Sequence, residues 1–316
     1  MQRLLLRAAL AAAALAPFAA AVPAVDGELR VVTTIPDLAD VVRELGGERV
    51  SVHSLARGTE NVHAVDARPS DLVALNRADL FVQMGLSLEH SFVPGLLEAA
   101  RNPRLRPGSP GFVNASEGFE PIEVPDEVSR REAADLHPFG NPHWNLDPRA
   151  GRHMAERVLA GLVAVDPEGR EAYAARHAAY LERLAEAEAR WERLAAGWRG
   201  RKLVAYHREF SYLAARYGIE VVGEVESRPG VAPKPRELAD LVERMRAEGV
   251  TAILTAKWSN GKAVRFVAEH TGARVIEVPT MVGGSQRATA WIALLDELHD
   301  ALALAFGAAE GGGAAR

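Results

Sequence analysis

"PEGREAYAARHAAYLERLAEAEARWERLAAGW", Pro167 to Trp198, carries no proline after its first residue and is built largely from Ala, Glu, Arg and Leu, the residues that lose least on entering a helix. Its larger or inward-facing positions are Tyr173, His177, Tyr180, Leu184, Ala187, Trp191, Leu194 and Trp198. They step mainly by three and four, which places them on one helical stripe. About 32 residues at 1.5 Å each would span roughly 48 Å, more than a crossover helix inside one α/β domain requires. The stretch predicts a rod that ties two domains together.

On both sides of this rod the chain alternates short β-type runs with amphipathic ones. Before it come "LRVVTTI", "PDLADVVRELG", "VSVHSLA", "PSDLVALNRA" and "LFVQMG". After it come "KLVAYH", "FSYLAARYG", "EVVGEVE", "PRELADLVERMRAEG", "AILTA", "AVRFVAEHTG" and "RVIEVP", closed by the helical "RATAWIALLDELHDALALAFG". That is the βαβ rhythm of parallel sheets covered by helices. Ser70 reads as the N-cap of a helix starting at Asp71. The Pro- and Gly-rich stretch from Arg101 to Gly140 reads mostly as loop. The fold class expected is α/β: two similar lobes with parallel sheets, residues 28–165 and 200–307, joined by one long backbone helix over 167–198. Residues 308–316, "AAEGGGAAR" with its neighbours, have too little apolar surface to order themselves.

The N-terminus, "MQRLLLRAALAAAALAPFAAAVPAVDGELRV", has Arg3 and Arg7 ahead of an apolar Ala/Leu run and small residues before a polar start. This is the pattern of a cleavable signal peptide, taken as residues 1–24, with Ala21 or Ala24 preceding the cut. The run is broken by Pro17 and falls short of the ~20 residues a membrane span needs, so no stable membrane insertion is expected. With no cysteine in the chain, there is no lipid-anchor thiol, disulfide or thiolate ligand. A periplasmic protein follows. A net charge of −5 with both signs interspersed offers no concentrated basic face for nucleic acid.

Without cysteine, any metal site must use nitrogen and oxygen. Of ten histidines, His63 in "GTENVHAVDARPSD", His143 in "NPHWNLDP" and His207 at the end of "KLVAYH" occupy turns or strand ends, where α/β domains place functional groups. Neutral imidazoles suit zinc and related ions. Separations of about 80 and about 64 residues do not distinguish joint ligation from three unrelated turn histidines, and the latter is the commoner fate. Trp144 can wall a cleft or sit in a core. His153, His177, His270 and His299 follow helical patterns and are read as non-ligands.

Taken together, "VHAVDARPSD", "MGLSLE", "NPHWNLDP", "AYHREFSYLAARYGIEVVG" and "PGVAPKPRELADLVERMRAEGV" resemble, in order and separation, the periplasmic zinc and manganese solute-binding proteins of ABC importers. The resemblance to this zinc-uptake family, with its TroA-like fold of two lobes on a helical backbone, runs from about Leu29 to about Phe306. It implies that His63, His143 and His207 are metal ligands. It also implies that zinc is the ion, with manganese the alternative, since manganese-preferring members tend to carry a carboxylate at the third position. The partners implied are a membrane permease and a separate ATPase, with this chain a monomer and not an enzyme. No GxxxxGK[ST] loop is present.

The chain departs from the family at the fourth ligand. Where many members have an aspartate after the last strand, "RVIEVPTMVGG" places Pro279 and Thr280, and "ILTAKWSNGK" has Ala256 and Lys257 where relatives often carry an acid. Glu60, Glu226 or a water held by one of them are the candidates, with Glu277 turned away by strand alternation. Three histidines and a water also present catalytic zinc, so a zinc hydrolase is a rival reading, although no HExxH pairing exists. A metal chaperone or buffer in the same fold is another. The family's histidine-rich loop is reduced to His137, so no loop that gathers extra zinc is expected. Asp147 is expected to shape its turn and to orient a ligand.

Overall fold

A computed structural model describes residues 28–125, 137–227, 231–259 and 261–306. The expected leader and tail lie outside the described residues. The first lobe runs β1 (Leu29–Thr33), α1 (Pro36–Gly46), β2 (Val50–Ser54), α2 (Pro69–Arg77), β3 (Leu80–Gln83), α3 (Val93–Ala100), β4 (Phe112–Asn114) and α4 (Ala150–Val165). The rod is α5 (Arg170–Ala195). The second lobe has β5 (Lys202–Ala205), α6 (Ser211–Tyr217), β6 (Glu220–Glu224), α7 (Pro235–Glu248), β7 (Ala252–Ala256), α8 (Gly261–Thr271), β8 (Arg274–Val278) and α9 (Trp291–Phe306).

Each lobe holds a four-stranded, all-parallel sheet, ordered β2-β1-β3-β4 in the first and β6-β5-β7-β8 in the second. The two orders are the same. In each, the chain leaves a central strand to either side, and the carboxyl ends of those central strands, β1/β3 and β5/β7, form the crevice where α/β sheets place ligands. β4 lies inside the stretch read as loop; at three residues among Pro and Gly it is too short to show an alternating pattern.

The rod is shorter than its sequence suggested. Pro167–Gly169 form a separate 3-10 turn and the α-helix stops at Ala195, so 26 residues rise roughly 39 Å. Its buried stripe is Tyr173, Tyr180, Leu184, Ala187, Trp191 and Ala195, with Trp198 buried just beyond. Leu194, expected inside, is 41% exposed because Ala195 takes the inward position. At the start of α2 the N-cap is Arg68 rather than Ser70. Pro69 opens the helix, and the Asp71 carboxylate accepts the Arg68 N–H at 2.8 Å.

One core is continuous from Val31 and Leu38 in the first lobe, through Tyr180 and Trp191 of the rod, to Leu203, Trp291 and Leu298 in the second. Separate cores fill the outer faces, around Leu75 and Phe81 in the first lobe and around Ile253 and Val264 in the second. Polar bonds also cross between lobes. The Trp291 indole donates to the Asn145 carbonyl at 2.9 Å, and the Trp291 amide donates to Asp40 at 2.7 Å. Gly151 of α4 has room for nothing larger, because a Cβ there would run into the Trp291 ring. No helix among the described residues is long and apolar enough to cross a membrane.

Candidate metal centre

His63 and His143 are placed by the same local device. In Asn61-Val62-His63 and in Asn141-Pro142-His143 the asparagine Oδ1 accepts the histidine amide two residues on, at 2.9 Å each. These Asx turns use asparagine's ability to bond its own backbone, and they aim the following ring. The repeated Asn-x-His was visible in the sequence but carried no weight without a reason to pair the two segments. His207 stands two residues beyond the end of β5, so the crevice end of the second sheet delivers it.

The three rings converge although two come from one lobe and one from the other. Their ligand nitrogens lie within 4.8 Å of one another, the one such group of metal-binding side chains among the described residues. The Nε2 atoms of His63 and His143 are 3.0 Å apart. Ring centroids are separated by 4.9 Å (His63–His143), 5.6 Å (His63–His207) and 5.4 Å (His143–His207). Nitrogens bound tetrahedrally at 2.0–2.1 Å from one ion sit roughly 3.4 Å apart, so this arrangement is close to what a zinc ion requires.

Burial sets the charge state. His143 and His207 are each only 4% exposed, and His63 is half-buried. Burial, followed by the repulsion of His207, His137 and His90, pulls the His63 imidazole down to about 3. His143 is held well below its ordinary value, by burial and then by His63 and His207. His207 is lowered, mainly by burial. All three are neutral at neutral pH, the form that binds metal. The His207 Nδ1 donates to the Glu226 carbonyl at 3.3 Å, which leaves Nε2 with its lone pair facing the cluster.

Neither carboxylate considered for the fourth position joins the group. Glu60 accepts the Arg57 amide at 2.9 Å and pairs with its guanidinium at 3.6 Å. Glu226 is buried, and its carboxylate accepts the Tyr206 hydroxyl at 2.6 Å. The contribution of Glu226 at His207 comes from its main-chain carbonyl. Glu277 is exposed, and Lys257 likewise. Asp147 bonds Arg149, amide at 2.8 Å and guanidinium at 2.6 Å, and so shapes the turn. Trp144 is a core aromatic, packed on Phe119 and His153.

Sequence reasoning missed two features. The Asn145 side chain donates to Asp37 at 3.1 Å and to the Thr280 carbonyl at 3.0 Å, while Asp37 also accepts the Val282 amide at 3.1 Å. This joins the second ligand segment to both lobes. Glu209, two residues after His207, is wholly buried; burial and then the charge of Glu226 push its carboxyl up to about 8.

Against this geometry, a model of the family "Zinc-uptake complex component A periplasmic" matches residues 31–305. The chain belongs to that family. Its relatives are metal-uptake and metal-binding proteins, some of them substrate-binding lipoproteins of metal ABC transporters. They include a high-affinity zinc uptake system protein of Bacillus subtilis, 24% identical over 82% of this chain and 80% of its own length. A manganese substrate-binding lipoprotein of Streptococcus pneumoniae is 24% identical over 77% of this chain and 76% of its own length. An iron-binding protein of Yersinia pestis is 25% identical over 89% and 87%. Among solved structures, a zinc-uptake family crystal structure superposes with a TM-score of 0.73 at 22% identity, covering 88% of this chain and 99% of the other. A manganese-bound periplasmic protein of Candidatus Liberibacter asiaticus reaches 0.70 at 20% identity, covering 86% and 98%. These likenesses show the fold, two parallel-sheet lobes on a long helix.

Proposed function

We propose that this chain captures a zinc ion as cargo on His63, His143 and His207 and hands it to the permease of an ABC importer powered by a separate ATPase. The observation that carries the reading is the convergence of three neutral imidazoles from two lobes with no carboxylate in the group. An all-nitrogen set favours zinc over manganese, which prefers harder oxygen ligands. The set also leaves the ion's double charge uncompensated, which favours release when a partner offers carboxylates. A water completes the fourth position.

The chain acts as a monomeric, exported carrier and not as an enzyme. A hydrolase would need a base beside the metal-bound water, and the two carboxylates read as candidates are engaged, Glu60 with Arg57 and Glu226 with Tyr206. The test is to strip the mature chain of metal and titrate zinc and manganese against a chromogenic chelator, beside a variant carrying His63→Ala, His143→Ala and His207→Ala. One tight zinc per chain, lost in the variant and outcompeting manganese, is the expected result. Binding unchanged in the variant, or manganese preferred, would overturn the reading.

A further inference from the structure

The base of the first lobe, at the amino ends of its strands and so opposite the crevice, is crowded with arginine. Arg30 is the second residue of β1, Arg77 ends α2, Arg101 follows α3, and Arg104 and Arg106 stand in the loop before β4. All five are exposed. Arg30 and Arg104 share one carboxylate, that of Asp79, which Arg30 meets at 3.1 Å. No carboxylate among the described residues pairs with Arg77, Arg101 or Arg106. Between Ala99 and Ser116 the chain has no acidic residue, and Glu117, which follows, is engaged by Arg157. Arginines elsewhere sit on carboxylates of their own, as Arg149 does on Asp147 and Arg190 on Asp296. The two signs of charge are interspersed along a chain of net charge −5, yet the fold gathers this positive face from separate stretches.

The backbone that carries these arginines is fixed without using their charge. The buried Asn102 donates its side-chain amide to the carbonyls of Leu75 at 2.9 Å and Ala78 at 2.7 Å, and its oxygen accepts the Arg104 amide at 3.1 Å. Asn76 donates to the Ala100 carbonyl at 2.8 Å. The carbonyls at the ends of α2 and α3, which basic side chains often cap, are thus taken by neutral amides. The Ser109 hydroxyl donates to the Arg106 carbonyl at 2.7 Å, and Leu105 is buried between two of the arginines. Pro103, Pro107 and Pro110 stiffen the loop further. The guanidiniums therefore project from an ordered backbone, and little loop entropy is lost when they meet a partner.

We propose that this face adsorbs reversibly on an anionic phospholipid bilayer, its guanidiniums on the lipid phosphates, with the crevice turned away from the lipid and open. Arginine's planar fork matches a phosphate group and is weakly hydrated. The arginines come from a strand, two helix ends and a loop spread over the base, which suits a sheet of phosphates better than a single anion. The contact is peripheral, since no helix among the described residues is long and apolar enough to cross a membrane. A carrier held loosely at the membrane of its permease searches a surface rather than a volume. That use rests on the reading of the chain as an importer's carrier; the adsorption itself rests on the arginine face.

The experiment is co-sedimentation of the mature chain with vesicles of phosphatidylcholine alone and with vesicles rich in phosphatidylglycerol, at low salt and at about 1 M, where the screening length falls to about 3 Å. The parent is expected to bind only the anionic vesicles and only at low salt. Each arginine near an anionic surface strengthens adsorption about five-fold, so R101Q/R104Q/R106Q should bind roughly a hundredfold more weakly. R101K/R104K/R106K should keep most of the binding, and both variants should melt like the parent. Zinc affinity should be the same on and off the vesicles, because the adsorbed face lies away from the crevice. No sedimentation, equal binding to neutral vesicles, or a glutamine variant that binds like the parent would overturn the proposal. Tighter binding to inorganic polyphosphate than to the vesicles, at equal phosphate, would overturn the assignment to a bilayer. A parent without tight zinc that still adsorbs through its arginines would overturn the carrier reading and leave this one standing.

Discussion

The side-chain amide of Asn141 donates to the main-chain carbonyl of Arg208 at 2.8 Å, so the turn that aims His143 is bonded to the residue that follows His207. The same carboxamide accepts the His143 amide through its oxygen. One side chain thus couples ligands of the two lobes. Asn141→Ala should weaken zinc binding by about 10–100-fold, the range found for groups that orient metal ligands. Asn141→Asp keeps the Asx turn but cannot donate to Arg208, and should fall between. Chelator competition on the three proteins checks the order; equal affinities would refute the coupling.

Gly58 lies against the main chain of residues 282–284, and a Cβ there would run into the Val282 carbonyl and Gly284. Main chain gives way less readily than a flexible side chain. Gly58→Ala is expected to separate the lobes locally, lowering both Tm and zinc affinity. Gly95→Ala, where nothing lies within 4 Å and the residue is inside α3, should be neutral or stabilise by up to about 1 kcal/mol. Thermal unfolding of the pair provides the comparison.

Thr280, with Pro279, stands where the resemblance leads one to expect an acidic ligand after the last strand. It is buried beside His143, and its hydroxyl accepts the Trp258 indole N–H at 3.4 Å. Thr280→Asp should add a hard oxygen ligand and raise manganese affinity relative to zinc. Competitive titration with both ions reads the shift; an unchanged ratio would mean that the carboxylate does not reach the ion.

His299 on α9 is fully buried, stacked on Trp191 and Trp198; its Nδ1 donates to the Leu295 carbonyl at 2.6 Å and its Nε2 accepts the Tyr217 hydroxyl at 2.9 Å. Burial pulls its pKa down to about 4. The unfolded chain then binds more protons than the folded one between roughly pH 6.5 and 4, so stability falls as pH drops through that window. Asp37, pushed up to about 7 by burial, acts in the opposite sense, losing stability as pH rises from its unfolded value. His299→Gln should lower stability at pH 7 yet flatten the acid loss. Urea unfolding at pH 7 and pH 5 measures both effects.

Trp191 and Leu194 are three residues apart on the rod, yet Trp191 is fully buried while Leu194 is 41% exposed at the edge of the buried stripe. Trp191→Ala should cost about 3–5 kcal/mol by opening a cavity in the core that both lobes share, whereas Leu194→Ala should stay within about 0.5 kcal/mol. Because that core packs both lobes on the rod and the bonds of Asp37, Asn145 and Trp291 tie the lobes to each other, metal-free and metal-bound scattering profiles should coincide. A large change in radius of gyration would show a hinge closure instead.

Much of the architecture was legible because helices and strands announce themselves by period. The rod, the βαβ rhythm and the three histidine segments could all be read from local pattern. What was misread lay at ends and in short pieces: Leu194 for Ala195, Ser70 for Arg68, β4 taken for loop. Such errors arise because a helix stripe of period 3.6 drifts past any fixed step, and because three residues carry too little pattern to count.

The sequence alone determined the element types, the parallel sheets implied by alternating strands and helices, and an all-nitrogen and oxygen ligand chemistry forced by the absence of cysteine. Only the tertiary structure decided that His63, His143 and His207 share one point and that Glu60 and Glu226 are occupied elsewhere. The physical reason is that convergence across about 140 residues of chain depends on how the two sheets pack on the rod, a matter of long-range burial that no local period encodes.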